Sequence, residues 1–166
     1  DGFSKIFSMT GWRLGYGIMN EELAKLVAKL QINVTSCAAS FTQIAGIEAV
    51  TGPQEPMVKM VEEFRKRRDF IVDGLNRLPG FSCHRPDGAF YVFPNFSGCY
   101  GKKTPSGKVI GNSSDLAAYL LDEHNVASVP GVAFGDDACQ RLSYAMSMKN
   151  IEKGIDRIEQ AVKTLA

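Results

Sequence analysis

The chain has 166 residues, 45% of them hydrophobic and 22% charged, with a formal net charge of +1. That length fits one domain, or one domain plus part of another, and the composition is that of a globule with a real core. Near-neutral charge gives no electrostatic reason to expect nucleic acid or an anionic membrane as partner, and no apolar run reaches the length of a bilayer span.

Residues 14–18 read as a short buried strand. Asn20 then precedes Glu21 and Glu22, a cap followed by acids in the first turn of a helix, with Leu23, Leu26, Val27 and Leu30 at helical spacing. Residues 35–40 are small and polar, a loop. Residues 41–50 are apolar and helix-compatible up to Thr51-Gly52-Pro53, and residues 55–78 carry a long helical pattern ended by Pro79-Gly80. Residues 81–84 and 90–93 are β-prone, separated by the turn Pro86-Asp87-Gly88. Residues 95–112 form a long loop, which its length marks as mobile or functional. Ser113-Ser114-Asp115 begins a helix to about residue 123, and strands follow at 126–129 and 140–145. The last helix spans about 150–165 with Ile151, Ile155, Ile158 and Val162 on one face. Alternating helices and strands indicate an α/β architecture.

Three segments carry chemistry. The first is Gly2-Phe3-Ser4-Lys5 followed by Met9-Thr10-Gly11-Trp12-Arg13-Leu14-Gly15-Tyr16. A lysine amine becomes a nucleophile when burial or a neighbouring cation removes its proton, and an arginine fork grips phosphate. A lysine and a phosphate-binding arginine together suit a cofactor bearing both an aldehyde and a phosphate, pyridoxal 5'-phosphate. The second is Pro130-Gly131-Val132-Ala133-Phe134-Gly135, followed by Arg141-Leu142-Ser143-Tyr144-Ala145. Taken alone, Arg141 reads as a strand arginine paired with Asp136 or Asp137. The third is Pro86-Asp87-Gly88-Ala89-Phe90-Tyr91-Val92-Phe93, read as a strand with no chemistry of its own.

These segments, in this order, resemble the class I/II aminotransferases that depend on pyridoxal phosphate, and most closely their bacterial-type aspartate aminotransferase branch. Asp1 stands where that branch commonly has Asn. The resemblance covers essentially the whole chain. It implies the C-terminal part of a fold type I transferase: residues 1–50 as the end of the large cofactor domain, residues 51–166 as the interdomain helix and small α/β domain. It implies that Lys5 is catalytic and carries the cofactor, that Ser4 and Arg13 hold its phosphate, and that Arg141 binds the substrate carboxylate. Amino acid and 2-oxo acid substrates, a homodimer for the full-length parent and a cytoplasmic location follow from it too. The acid facing the pyridine nitrogen and the ring-stacking aromatic would lie before residue 1, so the isolated chain is expected neither to retain the cofactor firmly nor to transaminate. Another pyridoxal-phosphate activity on the same scaffold (a β-lyase, or an alanine or aromatic transaminase), a non-catalytic folded piece, and a regulator with an aminotransferase-like domain are the alternatives.

Other signals carry less. Gly101 to Lys108 lacks phosphate-loop spacing, and Val109 follows the lysine where Ser or Thr is needed. Arg65-Lys66-Arg67-Arg68 lies among Glu62, Glu63 and Asp69 and reads as a solvated helix face. Cys37, Cys83, Cys99 and Cys139 have neither CxxC nor metal-ligand spacing with His84 or His124, and read as free thiols. No metal ligand set stands out.

Overall fold

A computed structural model describes residues 1–166, which fall into two compact units, Asp1–Val61 and Glu62–Ala166.

The first unit opens with a small clamp. Residues 1–3 run antiparallel to residues 14–16: Tyr16 N–H donates to the Asp1 carbonyl (2.8 Å), Phe3 N–H to the Leu14 carbonyl (3.1 Å), and Gly2 pairs with Gly15. A Cβ on Gly15 would lie 3.1 Å from the Asp1 carbonyl oxygen, so glycine lets the two segments approach. Between them run α1 (Phe3–Ile6) and a 3-10 turn at Thr10–Trp12. The strand expected at 14–18 is absent beyond this single bridge, and Ile18 is 91% exposed. A strand needs partners for its backbone groups, and only residues 1–3 lie alongside.

Helix α2 (Glu21–Val34) starts as expected, with Asn20 Oδ1 accepting from Leu23 N–H at 2.8 Å. Its apolar stripe forms but buries nothing: Leu30 is 63% exposed. Helix α3 (Ser40–Thr51) buries only Thr42 and Gly46. Gly46 faces Phe3 and Leu14, and a Cβ there would sit 2.5 Å from Leu14 Cδ2. Helix α4 (Glu55–Asn76) begins in the first unit and ends in the second.

The second unit holds the core. Strands β1 (Tyr91–Val92), β2 (Val129–Pro130) and β3 (Gln140–Ser143) form an antiparallel sheet in the order β1-β3-β2, with Tyr91 opposite Ser143 and Val129 opposite Arg141. Helices α5 (Ser113–His124) and α6 (Met148–Lys163) and the end of α4 supply its largest buried side chains: Leu75, Leu116, Leu120 and Ile151, with Phe96 and Tyr144 from the connections. Each such side chain contributes about 1.5–3 kcal/mol by leaving water.

Several expectations give way to competing hydrogen bonds. At 81–84 only Ser82 pairs, with Asn95. The Asn76 side chain takes both backbone groups of Cys83 (2.7 and 2.9 Å) in place of a ladder. At 126–129, Val126 N–H is held by the Leu120 carbonyl (2.8 Å) as α5 ends, so β2 starts only at Val129. Asn112, rather than Ser113 or Ser114, caps α5, accepting from Asp115 N–H at 2.9 Å. The segment 95–112 is anchored along its length: Phe96, Cys99 and Ile110 are buried, and Lys103 exchanges backbone hydrogen bonds with Ala166 (2.8 and 3.1 Å). The basic run on α4 is not simply solvated. Arg67 pairs with Glu63 (3.0 Å), and Arg68 pairs with Asp69 (2.9 Å) and donates to the Pro86 carbonyl (3.2 Å). No helix is long and apolar enough to cross a membrane.

Candidate active site

The first unit gathers three of the four expected site residues into one loop. Ser4 and Lys5 lie on α1, and Arg13 follows the 3-10 turn, all between the paired ends 1–3 and 14–16. Phe3 anchors the loop from inside, its ring against Phe7 (centroids 5.5 Å) and Tyr16 (5.7 Å). Trp12 rests on Phe41 of α3 at 6.0 Å, a packing role.

Two residues of this loop, Ser8 and Arg13, adopt the left-handed backbone conformation, each with φ of 54°. For an L-residue this conformation costs about 1–2 kcal/mol. The two positions bracket the 3-10 turn Thr10–Trp12, on the C-terminal side of Lys5. Ser8 is fixed by its hydroxyl donating to Met60 Sδ (3.2 Å), and Arg13 by an Nη1 donation to the Thr10 carbonyl (3.0 Å). One N–H of the fork is thereby used to aim it, and the remainder suits a phosphate. Lys5 and Arg13 are both exposed in this chain, and Ser4 is half-buried. The donor set, an amine with a hydroxyl neighbour and a guanidinium fork on the same loop, fits a phosphorylated aldehyde such as pyridoxal phosphate.

Arg141 belongs to the second unit, on the central strand β3. It is not paired with Asp136 or Asp137. Asp136 accepts from Ala138 N–H (2.9 Å) and from the Cys139 thiol (3.4 Å). Asp137 accepts from the backbone and hydroxyl of Ser113 (3.1 and 2.5 Å). The Arg141 guanidinium lies instead over the rings of Tyr91 and Phe134, 4.5 Å from each centroid.

The turn carrying Phe134 is fixed by sequence. At Gly131 an added Cβ would meet the Asp136 and Cys139 carbonyl oxygens at 2.1 and 2.3 Å, and Gly135 has φ of 87°. Gln140, fully buried, donates to the Ser113 carbonyl (2.5 Å) and accepts from Ser128 (3.1 Å), tying β3 to α5. Burial pushes the Cys139 thiol, two residues before Arg141 in the chain, up to about 11, and the Asp136 carboxylate adds to this. Tyr91 and Phe134 each lie in a recognised motif, but their convergence on Arg141 is not visible in the sequence because it needs the sheet register. His124 packs against Tyr119, its Nε2 3.0 Å from the phenol oxygen, away from any catalytic partner.

The family described as aminotransferase class I and II matches residues 1–158. A probable aspartate/prephenate aminotransferase of Rickettsia felis is 44% identical over 166 residues, covering 100% of this chain and 41% of that protein. An aspartate aminotransferase of Rhizobium meliloti is also 44% identical, covering 100% and 40%. The crystal structure of the Rhizobium meliloti aspartate aminotransferase superposes with a TM-score of 0.96, covering 99% of this chain and 41% of that one at 44% identity. The aromatic aminotransferase from Pyrococcus horikoshii gives 0.86 at 32% identity, covering 98% and 42%. The chain thus spans about two-fifths of the length of the curated relatives it matches, with the fold of the corresponding part of the type I aminotransferases. With the lysine loop and the arginine strand both inside the matched region, this chain belongs to the class I and II aminotransferase family.

Proposed function

We propose that this chain is the C-terminal part of a pyridoxal-phosphate-dependent aminotransferase that moves an amino group between an amino acid and a 2-oxo acid, aspartate-type in its preference. The observation that carries the proposal is the clamped loop, which carries both Lys5 and Arg13 between paired ends. The names of the relatives support the aspartate preference.

In this reading Arg13 and Ser4 hold the cofactor phosphate, the arginine by charge and fork geometry and the serine by its hydroxyl. Lys5 is the covalent anchor. Pyridoxal phosphate, when bound, supplies an aldehyde for an amine to join and a ring that takes up electrons from a broken Cα–H bond. The Lys5 Nζ would also serve as the base that moves the substrate α-proton. Arg141 fixes the α-carboxylate by two parallel hydrogen bonds and thereby sets which substrate bond faces the base. The acid for the pyridine nitrogen and the remaining phosphate ligands come from the part of the parent outside this chain. The parent works as a cytoplasmic homodimer.

The test is amino-group transfer from aspartate to 2-oxoglutarate by the full-length protein. Lys5→Ala is expected to lower the rate by about 10³-fold or more, the scale of losing a positioned base and a covalent anchor. A Lys5→Ala enzyme within tenfold of the parent contradicts the assignment. Alanine and aromatic donors in the same assay decide between aspartate-type specificity and its relatives.

A further inference from the structure

We propose that Tyr91 and Phe134 are positioning residues for Arg141: their rings hold its guanidinium by cation–π contact and so keep its hydrogen-bond donors unspent for the substrate carboxylate. The proposal rests on the reading of Arg141 as the carboxylate-binding residue.

A half-buried guanidinium needs compensation for the water it loses. Proteins usually supply a carboxylate, which occupies the same N–H donors that an incoming carboxylate would use. Here Asp136 and Asp137, close by in the chain, are drawn away by Ala138, Cys139 and Ser113. What faces the guanidinium is two aromatic rings, each with its centroid 4.5 Å from Cζ. A ring attracts the cation through its quadrupole and accepts no strong hydrogen bond, so it stabilises the charge without consuming the fork. No protein hydrogen bond or ion pair engages the Arg141 guanidinium in this structure.

The two rings are themselves held in place. Tyr91 sits on β1, hydrogen-bonded to β3 in register Tyr91 to Ser143, with Phe90 packed on it at 4.2 Å. Phe134 is fixed by the Gly131 and Gly135 turn and backed edge-on by Phe93 at 6.1 Å. The motifs Gly88-Ala89-Phe90-Tyr91 and Pro130-Gly131-Val132-Ala133-Phe134-Gly135 thus meet at one cation, which gives the first of them a role beyond forming a strand.

The experiment uses the full-length protein loaded with pyridoxal phosphate, with Tyr91→Leu, Phe134→Leu, Tyr91→Phe and Phe134→Tyr variants. Borohydride labelling at Lys5 is checked first. If the wild type shows neither label nor transamination, the functional reading fails and the aromatic contact is not what has failed. With labelling intact, each leucine variant is expected to raise KM for aspartate about two- to fivefold, the scale of one partly exposed cation–π contact, with kcat within twofold. Tyr91→Phe and Phe134→Tyr, which retain the rings, are expected to keep wild-type KM. An unchanged KM in both leucine variants, or a loss confined to kcat, overturns the proposal. So does a KM in Tyr91→Phe as high as in Tyr91→Leu, because the hydroxyl and not the ring would then be acting. If a leucine variant does not fold, the two ring-retaining variants still decide, since a raised KM in either contradicts a role carried by the π face.

Discussion

The two units differ in what they can do alone. The second unit encloses a continuous core in which Leu75, Phe96, Leu120 and Ile151 have left water almost completely. The first unit encloses little more than Phe3, Met9, Thr42 and Gly46, and leaves the apolar residues of α2 and α3 on its surface. Yet the first unit carries the loop with Lys5, whereas the second carries Arg141. In the proposed function, stability and covalent chemistry thus fall to different parts of this chain. An exposed apolar face of that extent marks a surface built to be covered.

The largest contrast should appear in matched leucine truncations. Leu120→Ala in the second unit is expected to cost about 2–5 kcal/mol, because it opens a cavity in a closed core. Leu30→Ala, on the exposed face of α2, is expected to cost under about 0.5 kcal/mol in the isolated chain. In the full-length parent the same Leu30→Ala is expected to rise toward the buried-core range, read by urea denaturation of both forms. An equal cost in both would show that the face stays uncovered. Next in size is Gly131→Ala, expected to cost about 1–3 kcal/mol because the new methyl meets backbone carbonyls that cannot step aside. It should also displace Phe134 from Arg141. Asn112→Ala, which removes the α5 cap, is expected to lower the melting free energy by about 1 kcal/mol.

A separate contrast is read by raising the pH. Burial raises the Cys83, Cys99 and Cys139 thiols from 9.0 to about 11, and burial with nearby acids raises Tyr100 from 10.0 to about 12. Folding therefore favours their neutral forms. The stabilisation is full below about pH 9 and is lost as pH climbs through about 11 for the thiols and about 12 for Tyr100. The melting temperature of the second unit should fall across that window, and serine at all three cysteine positions should flatten the fall.

Much of this was legible in the sequence because the signals are local. Asn20 with its following acids, the Ile151-Ile155-Ile158 stripe and the lysine-to-arginine spacing each act within a few turns of chain. The misses are non-local. Residues 14–18 pattern as a strand, but a strand is made by its partners. At 81–84 a side chain seven residues away, Asn76, outcompetes the ladder. Residues 95–112 lack periodicity yet are pinned, in part by the chain's last residue. Arg141 stood out through its motif, while its aromatic partners lie 50 and 7 residues away in sequence and meet it only through the sheet and the Gly131 turn.

The central claim is that the Lys5 amine bonds covalently to pyridoxal phosphate. Borohydride reduction of the full-length, cofactor-loaded protein, followed by peptide mapping, tests it most directly. The account predicts one phosphopyridoxyl group, on the peptide containing Phe3-Ser4-Lys5-Ile6, and none in Lys5→Ala. A label on any other residue, or none on the wild type, contradicts it.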